Sequence, residues 1–249
     1  MRLLDGKVAL VTGSSAGIGR AIAILFADHG AALVLNGRRE EPLSDLAETL
    51  RERGGQAVVV AGDVGDPETH QRLVAAATVQ FGGLDIAINN AGILGTVGPL
   101  TDMTLEQWLS LVHTNLTAAF LGARSQIPAM LERGGGSLVF TSSFVGTSVG
   151  LPGLTAYGAT KAALMGLVKG ITAEYAQKGV RANALLPGGT DTEMAGDEAS
   201  KAWAAGLHAM KRIARPEEIA SAALFLAGDL SSFVAGSALF ADGGNAAVK

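Results

Sequence analysis

The chain contains no cysteine. This excludes disulfides and thiolate metal sites, so any redox chemistry must use an organic cofactor. Its four histidines, His29, His70, His113 and His208, are too scattered in sequence to show metal-ligand spacing, and no metal is expected. Basic runs are also missing. With a net charge of −4 and a pI near 5.6, nucleic acid is not the expected partner. No apolar stretch approaches the roughly 18 residues of a membrane span. The N-terminus reaches Lys7-Val-Ala-Leu-Val within a few residues, with no long apolar region before it. A soluble cytoplasmic protein without a membrane partner is the expectation.

Glycine and aliphatic residues are abundant. The 249 residues include 34 glycines and are 48% hydrophobic, which suits one sizeable α/β domain with a full core. Short apolar runs occur at 8–11, 32–35, 57–61, 86–89, 137–141, 181–186 and 238–241. Between them lie helical patterns at 17–28, 42–53, 67–80, 105–131, 157–177 and 216–227. Strands buried on both faces read as continuous apolar runs, and helical crossovers imply parallel pairing. The pattern predicts a doubly wound parallel sheet of about seven strands with helices on both faces. No linker or repeat divides the chain, so residues 1–249 are expected to form a single domain. Residues 188–212 are the least regular stretch, and a connection of that length is more often functional than accidental.

The first strand runs into Thr12-Gly-Ser-Ser-Ala-Gly-Ile-Gly, where a helical pattern begins. Gly13, Gly17 and Gly19 permit a tight turn and close backbone approach to a pyrophosphate at a helix N-terminus. Ser15, Ala16 and Ile18 complete that candidate nucleotide loop. At the end of the second strand, Gly37 stands where a site selective for a free ribose 2′-hydroxyl would carry Asp or Glu. Arg38 follows and can receive a 2′-phosphate, with Arg39 as helper, so NADP(H) is favoured and NAD(H) is the alternative. Asp63 and Val64, after the third strand, suit an adenine amino group and ring face. A helix cap is the competing reading of Asp63.

Tyr157 and Lys161 lie four residues apart on a helical pattern and share one face. A phenol ordinarily titrates near pH ~10, and a cation beside it favours the phenolate. Lys161 and a positively charged cofactor ring can together bring Tyr157 into the range of a general acid or base.

With these residues in place, the whole chain resembles the short-chain dehydrogenase/reductase family. The likeness is carried by Thr12-Gly13-X3-Gly17-X-Gly19, Asn89-Asn90-Ala91-Gly92, Asn115, Thr141-Ser142-Ser143, Tyr157-X3-Lys161 and Pro187-Gly188. The resemblance implies a single Rossmann-like domain that binds NAD(P)(H), a Ser-Tyr-Lys-Asn active site, and a homotetramer or homodimer. Ser143 would hydrogen-bond the substrate oxygen and Tyr157 would protonate it. Lys161 would lower the tyrosine's pKa and hold the nicotinamide ribose. Asn115 would position a water linking Lys161 to solvent. Asn90 would contact the cofactor, while Asn89 would tie neighbouring strands together. Pro187, Gly188, Thr190 and Thr192 would hold the nicotinamide carboxamide.

Two departures matter. Ser143 precedes Tyr157 by fourteen residues, one more than the common family spacing, which leaves Ser142 as an alternative. Ala16 stands where some NADP-preferring relatives carry a basic residue, so 2′-phosphate recognition would rest on Arg38. The implied activity is interconversion of a small-molecule carbonyl and an alcohol, as an NADPH-dependent ketone or 3-oxoacyl reductase. A non-catalytic nucleotide sensor on the same fold is the competing class. Residues 190–212 are expected to form a lid. Met194, Trp203 and Met210 there either meet a hydrophobic carbonyl compound or merely anchor the lid.

Overall fold

A computed structural model describes residues 2–248. The strands are β1 (Val8–Thr12), β2 (Ala32–Gly37), β3 (Gln56–Ala61), β4 (Ile86–Asn89), β5 (Gly136–Thr141), β6 (Val180–Pro187) and β7 (Ala238–Ala241). The helices are α1 (Gly17–Asp28), α2 (Glu40–Glu52), α3 (Pro67–Phe81), α4 (Leu105–Val112), α5 (Ala118–Glu132), α6 (Thr155–Tyr175), α7 (Glu198–Gly206) and α8 (Pro216–Ala227). All seven strands pair in parallel in the order β3-β2-β1-β4-β5-β6-β7.

Alternation along the strands divides the core into two layers. Ala9 and Val11 of β1 pack with Ile22 and Phe26 of α1, Leu46 of α2 and Ile219 of α8. Val8 and Leu10 pack on the other face with Leu73 of α3, Ile127 of α5 and Val168 of α6. Both faces are buried, which is why the strands read as unbroken apolar runs. The chain order reverses between β1 and β4. In an open parallel sheet this opens a crevice beyond the C-terminal strand ends.

Local signals fix where the helices begin and end. Asp66 accepts from the Glu68 N–H at 3.0 Å with Pro67 in the first turn of α3, and Gly82, at φ 82°, ends that helix. The seven expected strands are all present, their ends shifted by one or two residues.

Two expectations are corrected. Residues 105–131 do not form one helix: a π-helical turn at His113–Thr117 separates α4 from α5. At its centre is Asn115, which is 2% exposed. Its side-chain amide donates to the Ile93 carbonyl at 2.9 Å and accepts from the Ile93 N–H at 2.8 Å. A widened turn inside a helix often marks a functional position. The irregular stretch after β6 also contains a helix, α7, whose start is capped by Asp197 accepting from the Ser200 N–H at 2.9 Å.

Candidate active site

Most of the expected site residues line one cleft of about 940 Å³ at the C-terminal ends of the strands. At one end are Gly13, Ser15, Ala16, Gly17 and Ile18, with Arg38, Asp63, Val64 and Asn90. Towards the other are Ser143, Tyr157 and Lys161, with Pro187, Gly188, Thr190 and Thr192. Gly19 and Asn115 are the exceptions. Gly19 lies under the loop, where a Cβ would collide with the Gly13 carbonyl oxygen, so it lets α1 pack closely against the loop. Asn115 sits behind Lys161, and both border a void of about 10 Å³, the scale of one water.

The nucleotide end is built mostly of backbone. Gly13 has φ 66°, and a Cβ there would stand 3.0 Å from Ala91 Cα. Gly17 has φ 55°, and its Cβ would stand 3.1 Å from Thr192 Cγ2, so the segment after β6 rests directly on the loop. Ala16, at the N-cap of α1, has no side-chain oxygen to occupy the first N–H groups of the helix. Those groups and the helix dipole suit a phosphate. Thr12 accepts from the Asn90 and Ala91 N–H groups at 3.0 and 3.1 Å, clamping β1 to β4. Asn90 donates to the Thr12 carbonyl at 3.1 Å and accepts from the Thr141 hydroxyl at 3.2 Å, so it braces the loop as well as lining the cleft.

Arg38 and Arg39 are exposed and line the cleft. Asp63 is exposed and accepts from the Gly65 N–H at 2.7 Å, while the cap of α3 is Asp66, so the cap reading of Asp63 is replaced by a turn. Asn89 exchanges hydrogen bonds with Gln126 at 2.9 and 3.1 Å, tying β4 to α5 rather than to another strand. Together, the tight glycine backbone, the helix N-terminus without a side-chain cap and the exposed Arg38 and Arg39 fit a nicotinamide dinucleotide.

The carbonyl end is built of buried side chains. Ser143, which is 5% exposed, accepts from the Val145 N–H at 3.1 Å and its hydroxyl neighbours the Tyr157 phenol. The neighbouring Ser142 hydroxyl donates to the Lys161 carbonyl at 2.7 Å and is committed to the α6 backbone. Of the two serines, only Ser143 is therefore placed beside the phenol. Lys161 is 4% exposed and donates to the Thr141 carbonyl at 2.7 Å, with its nitrogen 5.8 Å from the Tyr157 ring centre. A Cβ at position 92 would stand 3.1 Å from that nitrogen, so Gly92 leaves room for the ammonium.

Burial lowers the Lys161 pKa to about 8. Burial also pushes the Tyr157 phenol up, against the neighbouring Ser143 hydroxyl, which pulls it down. Without a cofactor ring beside it, the net direction for the phenol is upward, and burial is the first cause.

Some site residues left no sequence signal. His208 accepts from the Gly189 N–H at 3.0 Å and stacks edge-on to Phe144 at 5.5 Å, holding the turn after β6. Leu94, Val97, Val145 and Leu151 line the cleft from loops, where apolar residues have no period to reveal them. Met210, by contrast, does not line the cleft; it lies by Gly243, which favours the anchoring role over contact with a substrate.

A family model described as enoyl-(acyl carrier protein) reductase matches residues 13–246. Cyclohexanol dehydrogenase from Acinetobacter sp. (strain SE19) is 36% identical over 239 residues, covering 96% of this chain and 94% of that protein. Cis-4-hydroxycyclohexanecarboxylate dehydrogenase from Sinomonas cyclohexanicum is 39% identical over 244 residues, covering 97% of each. A solved gluconate 5-dehydrogenase from Burkholderia cenocepacia J2315, in complex with NADP and tartrate, superposes with a TM-score of 0.93 at 35% identity. That match covers 100% of this chain and 98% of the other. The sheet, the glycine loop and these likenesses define an NAD(P)-dependent oxidoreductase acting on CH–OH or C=O groups. The chain belongs to the short-chain dehydrogenase/reductase family. Among the described residues, no helix is long and apolar enough to cross a membrane, and no cluster of side chains could hold a metal ion.

Proposed function

We propose that the chain is an NADP(H)-dependent reductase of ketones that also oxidises the corresponding secondary alcohols. The observation that carries this reading is the placement of Ser143, Tyr157 and the buried Lys161, one helical turn from Tyr157, in the same cleft as the glycine loop. The bound dinucleotide supplies or accepts the hydride. The Tyr157 hydroxyl gives its proton to the substrate oxygen, and the Ser143 hydroxyl hydrogen-bonds that same oxygen, orienting the carbonyl. A phenol kept neutral by burial is in the correct form to donate. Lys161 spends one of its three protons on the Thr141 carbonyl, leaving two for the nicotinamide ribose. Asn115 orders the Ile93 backbone beside the small void, where a water can return a proton to Lys161.

The preference for NADP rests on Arg38 and Arg39 together with the missing carboxylate at Gly37. A Cβ at Gly37 would stand 3.3 Å from Ser15 Oγ, so this position favours a residue without a side chain. The same reading treats residues 1–249 as one dinucleotide-binding domain and 190–212 as its lid, assembled as a homotetramer or homodimer. Light scattering checks the assembly, and a monomeric mass would count against it. Activity is checked by NADPH and NADH consumption over a panel of ketones. Turnover favouring NADPH is expected, and binding of dinucleotide without any hydride transfer would favour a nucleotide sensor instead.

A further inference from the structure

We infer that the carbonyl end of the cleft takes a neutral, apolar secondary alcohol or its ketone, and discriminates against carboxylates and polyols. The inference rests on the oxidoreductase reading above and names the substrate class of that site. Beyond Ser143 and Tyr157 the wall is formed by Leu94, Val97, Val145, Leu151, Met194 and Trp203. Met194 and Trp203 are 49% and 56% exposed, yet both line the cleft, so they present apolar surface for a ligand to cover.

No cation is available there to receive an anion. Lys201, the basic residue of α7, is held between Asp191 at 2.8 Å and Glu198 at 3.0 Å. Arg212 is held by Glu218 at 2.8 Å. Lys161 is buried against the Thr141 carbonyl, while Arg38 and Arg39 stand at the nucleotide end. The one ionisable lid side chain that lines the cleft is Glu193, an anion.

Three neutral hydroxyls at this end are also committed as donors. The Ser142 hydroxyl is bound to the Lys161 carbonyl, the Thr190 hydroxyl to the Gly188 carbonyl at 3.0 Å, and the Thr192 hydroxyl to the Thr190 carbonyl at 3.4 Å. A carboxylate taken into this end would lose hydration without a counter-charge and would meet Glu193. Extra substrate hydroxyls against the apolar wall would find few partners, and an apolar pocket rejects such a group by up to about 100-fold.

The test compares probes that differ in charge and polarity but present the same reacting group: cyclohexanol, cis-4-hydroxycyclohexanecarboxylate and gluconate, each with NADP, and cyclohexanone with NADPH. We expect kcat/KM for cyclohexanol to exceed that for the ring acid by roughly 10-fold or more, and that for gluconate by roughly 100-fold or more. Glu193→Lys should narrow the gap between the acid and the neutral ring, and an unchanged ratio would count against the electrostatic part. Faster turnover of the acid or of gluconate would overturn the inference and leave the oxidoreductase reading standing. Failure of hydride transfer with every probe and with a wider ketone set would overturn both.

Discussion

At the nucleotide end the cleft is made of backbone and exposed arginines, whereas the reacting end is set by side chains such as Ser143 and Lys161 that are buried and already hydrogen-bonded. The first arrangement gives affinity that can be adjusted by exposed side chains, because Arg38 and Arg39 can be removed without leaving a buried group unpaired. The second gives chemistry at the cost of stability. Lys161 is charged at neutral pH inside the protein, and its pKa, lowered from 10.5 to about 8, records that cost. Substitutions at the two ends should therefore fail differently.

The largest contrast is expected at Lys161. Lys161→Met should lose turnover by about 100-fold or more, while the ligand-free protein gains up to about 3 kcal/mol of stability. The gain is reduced by whatever the orphaned Thr141 carbonyl costs. The pH dependence has a definite sign. Between pH 8 and 10.5 the folded protein has released the Lys161 proton and the unfolded chain still holds it. Stability of the ligand-free protein therefore rises with pH across that window. Denaturant melts at pH 7.5 and ~10 should show the rise in the parent and its loss in Lys161→Met. Identical pH profiles would contradict the burial argument.

The two serines come next. Ser143→Ala should cut kcat by about 10- to 100-fold with little change in stability, because it removes a hydroxyl aimed at the substrate. Ser142→Ala should cost about 1 kcal/mol of stability by freeing the Lys161 carbonyl, with the smaller effect on kcat. Reversal of that pattern would move the catalytic role to Ser142. At the nucleotide end, Arg38→Ala should raise KM for NADPH about 10-fold and leave KM for NADH and kcat nearly unchanged. An unchanged KM for NADPH would remove Arg38 from 2′-phosphate recognition. The smallest effect is local: Asp66→Ala should cost about 1 kcal/mol by uncapping α3, seen in thermal melts and not in kinetics.

The same contrast explains what could be read from the sequence. The strands were legible because both sheet faces are buried, and the glycine loop because φ values of 66° at Gly13 and 55° at Gly17 favour glycine. Tyr157 and Lys161 were legible because helical pitch places them on one face. Features that depend on a distant partner were hidden. The π-helical turn is centred on Asn115, which reaches Ile93, twenty-two residues away, and nothing local announces it. His208 meets Gly189 only once α7 has folded over the turn after β6. The apolar wall comes in part from loops, where hydrophobic residues carry no period, so nothing in the sequence marks Leu94 and Leu151 or separates the anchoring Met210 from the cleft-lining Met194.

The central claim is that Tyr157 is the proton donor of a hydride-transfer site whose cofactor is bound by other residues. The direct test is Tyr157→Phe, measured for ketone turnover and, separately, for NADPH affinity by fluorescence titration. The account predicts a fall in kcat of about 1,000-fold or more, with NADPH affinity within a few fold of the parent. Turnover within a few fold of the parent, with the same substrate and cofactor, would contradict it.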